Sequence, residues 1–459
     1  MDSQPVLSVA IVGAGIAGLT ATIALQGKPG IDVRIYERTK ELREVGATIA
    51  LGPNGLRTLE RLGINNALND SIAFRNKSGH PMIYRHAQTN ETVSVDSHAG
   101  HIEPRHRTAR FFRPHLQRAL LQHVDPARLH LGKAFSAVEP TQDGSRVVLS
   151  FADGTTAEAD VVLGADGIHS AVRRAFVPES RARWTGWVVF RSVFPRSVVA
   201  HIPDLPDEAV HYWGVDRTLF LSPLAGGGGG GEDLFAIVAS TQCDPEAAGD
   251  GQDPVWNREG SLEEVQELYK DWHPTLRAII QANPHTRVYH NAAADGLDSW
   301  VLGGGRVTLA GDAAHAHGGA FAAGGSLAID DAWAFAQSIL HVFAGEVSPA
   351  SVVVDAGGSA RWVSPTPPLQ PKQKGDKVAA ALRLYERTRK QHTDRVQKTV
   401  ANKNEATLQR LRTGVVETDQ ELRRRMRTRQ DLAWIHEHDV VSAFIKAVGS
   451  SEEQQASRL

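Results

Sequence analysis

Three glycine-centred turns carry the residues of this chain whose types and spacing suit chemistry. The first is Gly13-Ala14-Gly15-Ile16-Ala17-Gly18, entered from the apolar run Val9-Ala10-Ile11-Val12 and leaving into an Ala-rich helical pattern. Gly13 allows a tight turn, Gly15 removes a Cβ where a pyrophosphate must approach the backbone, and Gly18 lets helix and strand pack closely. The N–H groups that open the helix would hold the phosphates, aided by its dipole. The strand-like Asp32-Val33-Arg34-Ile35-Tyr36 ends in Glu37, 24 residues after Gly13. A carboxylate there accepts hydrogen bonds from a ribose. The pattern predicts a bound dinucleotide.

The second turn is Gly164-Ala165-Asp166-Gly167-Ile168-His169-Ser170-Ala171-Val172-Arg173, at the end of a strand pattern. The third is Gly311-Asp312-Ala313-Ala314-His315, followed by Gly324-Gly325 and a helical run carrying Asp330-Asp331-Ala332. Ligands of α/β sheets bind beyond the carboxyl ends of the strands, so all three turns can face one crevice. Asp312 would accept from a ribityl hydroxyl, and the helix start at Gly325 would set N–H groups near the polar edge of an isoalloxazine ring. His211, His290, His315 and His317 are candidate bases, since imidazole transfers protons near neutral pH. No spacing of His, Cys and carboxylates predicts a metal site.

The elements that must position these residues follow from the order of the patterns. At 459 residues the chain is long for one core, which predicts more than one domain. It reads as α/β, with a nucleotide-binding domain in two parts, 1–177 and 291–345. The β-patterned stretch 178–290 is inserted between them, with strands expected around Trp187 to Phe194, Thr218 to Leu221 and Leu234 to Ala239. The Pro-, Gly- and Ser-rich stretch 346–377 is expected to be a flexible insertion, and 378–459 a helical region. Arg423, Arg424, Arg425, Arg427 and Arg429 cluster there, and read as a solvated helix face before a nucleic-acid or partner patch.

Net charge is -2, so no general attraction to nucleic acid or an anionic membrane is expected. Cys243 is the only cysteine, which excludes an intramolecular disulfide and suits a reducing compartment. The first strand begins near Val6 with no room for a signal peptide, and no apolar run reaches membrane-spanning length. A cytoplasmic location is expected. Ser457-Arg458-Leu459 is a conservative variant of the peroxisomal Ser-Lys-Leu tripeptide and a second candidate address.

The trio of turns, in this order and spacing, resembles the single-component FAD-dependent aromatic hydroxylases of the salicylate and para-hydroxybenzoate hydroxylase type. The likeness runs from about residue 6 to 345, and Tyr385-Glu386-x-x-Arg389 is similar to the family's C-terminal helix. Gly318-Gly319-Ala320-Phe321-Ala322-Ala323-Gly324-Gly325-Ser326-Leu327-Ala328 resembles a fungal subgroup acting on phenolic polyketides in secondary metabolism. The resemblance implies a Rossmann-like FAD-binding domain, an inserted β-sheet substrate domain and C-terminal helices. It implies that Glu37 binds the adenosine ribose, that Ala47 or Ala50 lies against the flavin, and that Arg113 contacts FAD. Asp312 and Gly325 would hold the ribityl and ring portions, with Asp166 serving NAD(P)H use as well as flavin binding. Arg191 matches the arginine that orients the substrate phenolate.

The implied activity is hydroxylation of a phenolic substrate with NAD(P)H and O2 through a flavin C4a-hydroperoxide, by a monomer or homodimer without nucleic acid. Three positions depart from the family pattern. His115 stands where an acidic residue is usual, Gly319 where many members carry proline, and Phe235 is nearest to the expected substrate tyrosine. An FAD-dependent epoxidase or reductase of the same fold is the alternative. A non-catalytic binding protein is a further one, against which Glu37, Asp166 and Asp312 together argue, because a packing scaffold needs none of these carboxylates.

Overall fold

The strand Leu7–Val12 has lost nearly all contact with water on both sides, as a central parallel strand must. The structure is a computed structural model that describes residues 6–42, 47–228, 230–246, 257–344, 351–354, 360–363 and 369–456. Leu7–Val12 lies between Ile31–Glu37 and Val161–Gly164, and Val307–Leu309 and Leu129–Leu131 complete a five-stranded parallel sheet. The helix Ile16–Leu25 packs on it and against the helix Gly324–Val342, and their small residues allow close approach. The carboxyl ends of Leu7–Val12, Val161–Gly164 and Val307–Leu309 therefore deliver the three glycine turns to one edge of the sheet.

A second, eight-stranded sheet stands opposite. Its order is Arg258–Glu259, Arg287–Ala294, Ala182–Pro195, Leu234–Gln242, Arg217–Leu224, Val210–Trp213, Ile83–His86 and Thr92–Val95. The last two strands come from upstream of residue 178, so sheet membership does not follow the division drawn at that point in the sequence. One face buries Phe194, Phe235, Ile237 and Leu221 against Tyr269, Trp272 and Ile279, the last of these from the helix Pro274–Ala282. The other face, with Trp187, Val189, Arg191, His211, Trp213, Phe220, Val238 and Ser240, is turned towards the glycine turns. This is the alternation a half-buried strand imposes.

The stretch 346–377 lies partly outside the described residues. Within it Ser351–Val354 pairs with Ala360–Val363 as an antiparallel hairpin, and from Pro371 the chain already belongs to the helix Pro371–Thr413. That helix runs past both sheets, and Gly414 ends it in the left-handed conformation. Asp419–Arg427, Ala433–His436 and Val440–Ala456 follow.

The arginine cluster is a solvated face only in part, since Arg424 and Arg427 are exposed while the other three are half-buried and paired. Arg423 pairs with Glu91 and Asp419, Arg425 with Glu417 and Arg429 with Asp96. Beneath them Leu422 and Met426 bury themselves against Tyr84 and Trp213. No helix among the described residues is long and apolar enough to cross a membrane. Ser457-Arg458-Leu459 lies outside the described residues.

Candidate active site

The glycine turns and the eight-stranded sheet enclose one crevice of about 1650 Å³. Gly13 sits at φ +102°, and a Cβ there would lie 2.5 Å from the carbonyl oxygen of Ala165. The first turn is thus pressed directly on the second. A Cβ at Gly18 would collide with the Gly13 carbonyl oxygen, which keeps the helix start tight against the strand. Gly15 is different. Nothing stands within 4 Å of its missing Cβ, so the backbone faces open crevice where a diphosphate needs room.

Glu37 closes this loop. Its carboxylate accepts from the backbone N–H of Ala14 at 2.9 Å and of Thr39 at 3.0 Å, and the side chain lines the crevice. Ala47 and Ala50 line it further along, and the backbone N–H of Arg113, first residue of the helix Arg113–Leu121, donates to the carbonyl of Ala47 at 2.9 Å. Asp312 projects into the crevice and, among the described residues, no protein donor holds its carboxylate. Gly325 lies against Ile49 and Leu51, where a Cβ would be 2.8 Å from Ile49 Cδ1. Any side chain there would push the helix start off the crevice wall.

Asp166 is committed differently. Its carboxylate accepts from Ser170 Oγ at 2.5 Å and from the backbone N–H groups of Ala171 and Val172 at 2.7 and 3.1 Å. Those donors open the helix Ala171–Phe176, so Asp166 fixes the shape of the second turn. Burial raises its pKa against the pull of these hydrogen bonds.

Arg191 reaches the crevice from the long strand Ala182–Pro195. Its guanidinium lies 5.0 Å from the ring centroid of Tyr289 and donates to Asn291 Oδ1 at 3.5 Å. Among the described residues no carboxylate pairs with it, and burial lowers its pKa. Its Nη2 is 3.8 Å from where a Cβ of Gly319 would stand. Gly319 sits at φ +68°, which proline's ring cannot adopt, and this accounts for the departure from the family pattern at that position. Phe321 and Ala322 follow at φ 59° and 53°, and such strained non-glycine backbone gathers at functional sites.

Phe235 does not take the place expected for a substrate tyrosine. It is fully buried on the far face, 6.2 Å from Phe194 ring to ring. It has the opposite parity to Val238 and Ser240, which do line the crevice.

The four candidate bases separate. His315 Nε2 bonds the fully buried Asp331 at 2.6 Å, and His290 stacks on Trp184 at 4.5 Å. Neither lines the crevice. His211 does, but its Nδ1 accepts from Trp213 Nε1 at 3.2 Å, so the neutral ring carries its proton on Nε2 and acts as a donor. Burial, with Lys403 and Arg429 nearby, lowers its pKa to about 3. His317 also lines the crevice, and its Nδ1 meets the carbonyl oxygen of His315 at 3.3 Å.

No local pattern in the chain signals several of the crevice residues. Lys403, Leu411, Val415, Val416 and Arg425 come from the C-terminal helical region more than 200 residues from Arg191. Only tertiary contact brings them there.

Comparison with known proteins gives a consistent result. The sequence matches the FAD binding domain family over residues 6–218 and 256–352. It is 31% identical over 359 residues to a 6-hydroxynicotinate 3-monooxygenase of Pseudomonas fluorescens, covering 77% of this chain and 88% of that protein. A salicylate hydroxylase of Pseudomonas putida is 26% identical, with 96% and 95% covered. In three dimensions the chain superposes on a salicylate hydroxylase substrate complex with a TM-score of 0.73 at 22% identity, covering 97% of this chain and 98% of that one.

Proposed function

The chain belongs to the FAD binding domain family and is an FAD-dependent NAD(P)H monooxygenase of the aromatic hydroxylase type, and from that premise we propose that it hydroxylates a phenol held against Arg191. The residues present fit FAD. Gly15 leaves room for the diphosphate, Glu37 offers a carboxylate to the ribose, and Asp312 has unclaimed oxygens for a ribityl hydroxyl. Arg113, Ala47, Ala50 and Gly325 line the same crevice, which supports their holding the flavin portion. When bound, FAD takes electrons from NAD(P)H and passes activated oxygen to the ring.

The protein's own part begins with charge. A free phenol has a pKa near ~10, and a cation within a few ångströms lowers such a value by roughly 1–3 units. Arg191, without a carboxylate partner among the described residues, can spend its charge on the substrate oxygen and make the ring electron-rich. Trp213, Phe220, Val189 and Val238 line the same crevice and exclude water from the reacting edge. The observation that carries the reading is this uncompensated guanidinium beside the Gly319 loop, in the crevice that also presents Asp312.

A substrate larger than one ring is supported by the shape of the site. The crevice exceeds the roughly 300–1,000 Å³ usual for small-ligand pockets, leaving space beyond the cofactor. Its mouth carries Val215, Leu411, Val415 and Val416, each a large apolar side chain left exposed. These features support a phenolic polyketide of secondary metabolism. The test is a panel of phenols offered to the FAD-loaded protein with NADH or NADPH and labelled O2, reading product mass. Uptake of one labelled oxygen atom supports the reading, and reductant consumption without labelled product defeats it. Peroxisomal import through Ser457-Arg458-Leu459 is a separate proposal. A reporter carrying the last ten residues would have to lose a punctate pattern when Leu459 is deleted.

A further inference from the structure

Gln242 ends the strand Leu234–Gln242 and lines the crevice, yet the fold leaves its side chain unused. The residue is 6% exposed, and neither Oε1 nor Nε2 has a hydrogen-bond partner among the described residues. A carboxamide offers two donor hydrogens and an acceptor oxygen. When buried, such groups are nearly always hydrogen-bonded, so an empty one marks a place for a partner. Rotation about the soft terminal torsion turns either end of the amide to the cavity.

The groups around it are neutral hydrogen-bonding side chains. Ser240 precedes Gln242 by two residues on the same face, and Thr218 pairs with Ser240 across the sheet. Neither hydroxyl has a partner among the described residues. Trp187 stands opposite Gln242 in register and donates its Nε1–H to Asn404 Oδ1 at 3.2 Å. Asn404 comes from the helix Pro371–Thr413 and also lines the crevice. None of Gln242, Ser240, Thr218 and Asn404 carries charge, so what they suit is a neutral partner. The register also sets a length. Arg191 pairs with Val238 and Trp187 with Gln242, which puts Gln242 four residues along the sheet from the level of Arg191. That is roughly 13 Å at the rise of an extended strand.

We propose that Gln242 binds a neutral arm of the phenolic substrate, one that presents a carbonyl beside a donor, as a carboxamide or a hydroxyketone does. Nε2 donates to the carbonyl while Oε1 accepts from the neighbouring N–H or O–H. This rests on the hydroxylase reading above and names what the larger substrate carries beyond the ring at Arg191. A site built to hydrogen-bond such a group rejects an analogue lacking it, because its own polar atoms are then left empty.

The experiment measures calorimetric binding of three probes to the FAD-loaded protein. They are a resorcinol with a pentanamide arm, the matching methyl ester without the donor, and hexylresorcinol without either group. The wild type is expected to bind the amide ~10-fold or more tightly than the ester. Gln242→Met, an apolar replacement of similar length, reduces that preference to within ~2-fold while holding hexylresorcinol as well as the wild type does. Without ligand the variant should melt at or above the wild-type temperature, since no hydrogen bond is lost. An unchanged preference in Gln242→Met overturns the assignment, as does equal binding of amide and ester by the wild type, which needs no variant. So does a melting temperature several degrees lower, which would show the fold itself using the carboxamide. Labelled-oxygen transfer to hexylresorcinol is read in parallel. If it takes up label while the amide preference is absent, only the role of Gln242 fails. If no probe takes up label, the hydroxylase reading fails by itself, and the binding preference still decides Gln242.

Discussion

Arg389 donates its Nε to Asp331 Oδ1 at 2.8 Å, and neither side chain has any exposure to solvent. The second oxygen of Asp331 accepts from the backbone N–H of Gly311 at 2.9 Å and meets His315 Nε2 at 2.6 Å. One carboxylate therefore joins the long C-terminal helix, the helix Gly324–Val342 and the third glycine turn. Burial alone would raise the Asp331 carboxyl, but His315 and Arg389 together hold it below the usual carboxylate range.

Removing one partner from such a pair strands the other. Arg389→Met is expected to cost roughly 3–5 kcal/mol of stability and to weaken FAD retention, because the turn carrying Asp312 loses its anchor. Denaturant unfolding with flavin release as a second signal measures both. Stability within ~0.5 kcal/mol of wild type, the range of an ordinary surface substitution, would refute the anchor.

Gly13 and Gly15 are expected to respond oppositely. Alanine at Gly13 meets both a φ of +102° and a carbonyl at 2.5 Å, so Gly13→Ala should destabilise the fold by at least ~1–3 kcal/mol. At Gly15 the backbone is ordinary, φ −77°, and the space is open. Gly15→Val should keep its circular dichroism and melting behaviour yet purify without bound flavin. A yellow Gly15→Val protein would remove the diphosphate from this turn.

Arg191→Met should leave FAD content intact while lowering phenol-dependent turnover by ~10- to 100-fold, the loss expected when an electrostatic contact of roughly 1.4–3 kcal/mol disappears. Because the variant cannot favour the phenolate, its remaining activity should rise with pH towards the pKa of the free phenol. A flat profile parallel to that of the wild type would contradict this role.

Four half-buried histidines predict acid lability. Burial lowers the pKa of His211 to about 3, of His392 to about 2, and of His436 and His438 to about 4. The unfolded chain takes up a proton at each as pH falls through ~6.5 while the folded chain refuses it, so each withdraws about 1.4 kcal/mol per pH unit below that point. This stability is complete above ~6.5 and is lost towards the folded pKa values. Melting temperatures should fall steeply between pH 6.5 and 4.5, and His436→Phe should flatten the slope. An unchanged slope in a folded variant would clear His436.

The nucleotide half was legible because its signals are local. A glycine spacing fixes a turn, and an apolar run ending in Glu37 fixes a strand, within about thirty residues of each other. The same locality limited the rest. Phe235 was one residue out of phase for the crevice, and strand parity sends such an error to the opposite face. The arginines from Arg423 to Arg429 gave no hint that Glu91, Asp96 and Glu417 would meet them, because two of those acids lie more than 300 residues away in the chain.

Local order along the chain thus determined the three turns, the strands that feed them, and the identity of Arg191 as a strand residue. Tertiary packing alone decided that Arg191 would lack a carboxylate among the described residues, that Asp166 would spend its charge on a helix start, and that Lys403 would enter the crevice from the far end of a 43-residue helix. The division is physical. Backbone geometry depends on neighbours in sequence, whereas the partner of a charge depends on which surfaces the folded chain brings together.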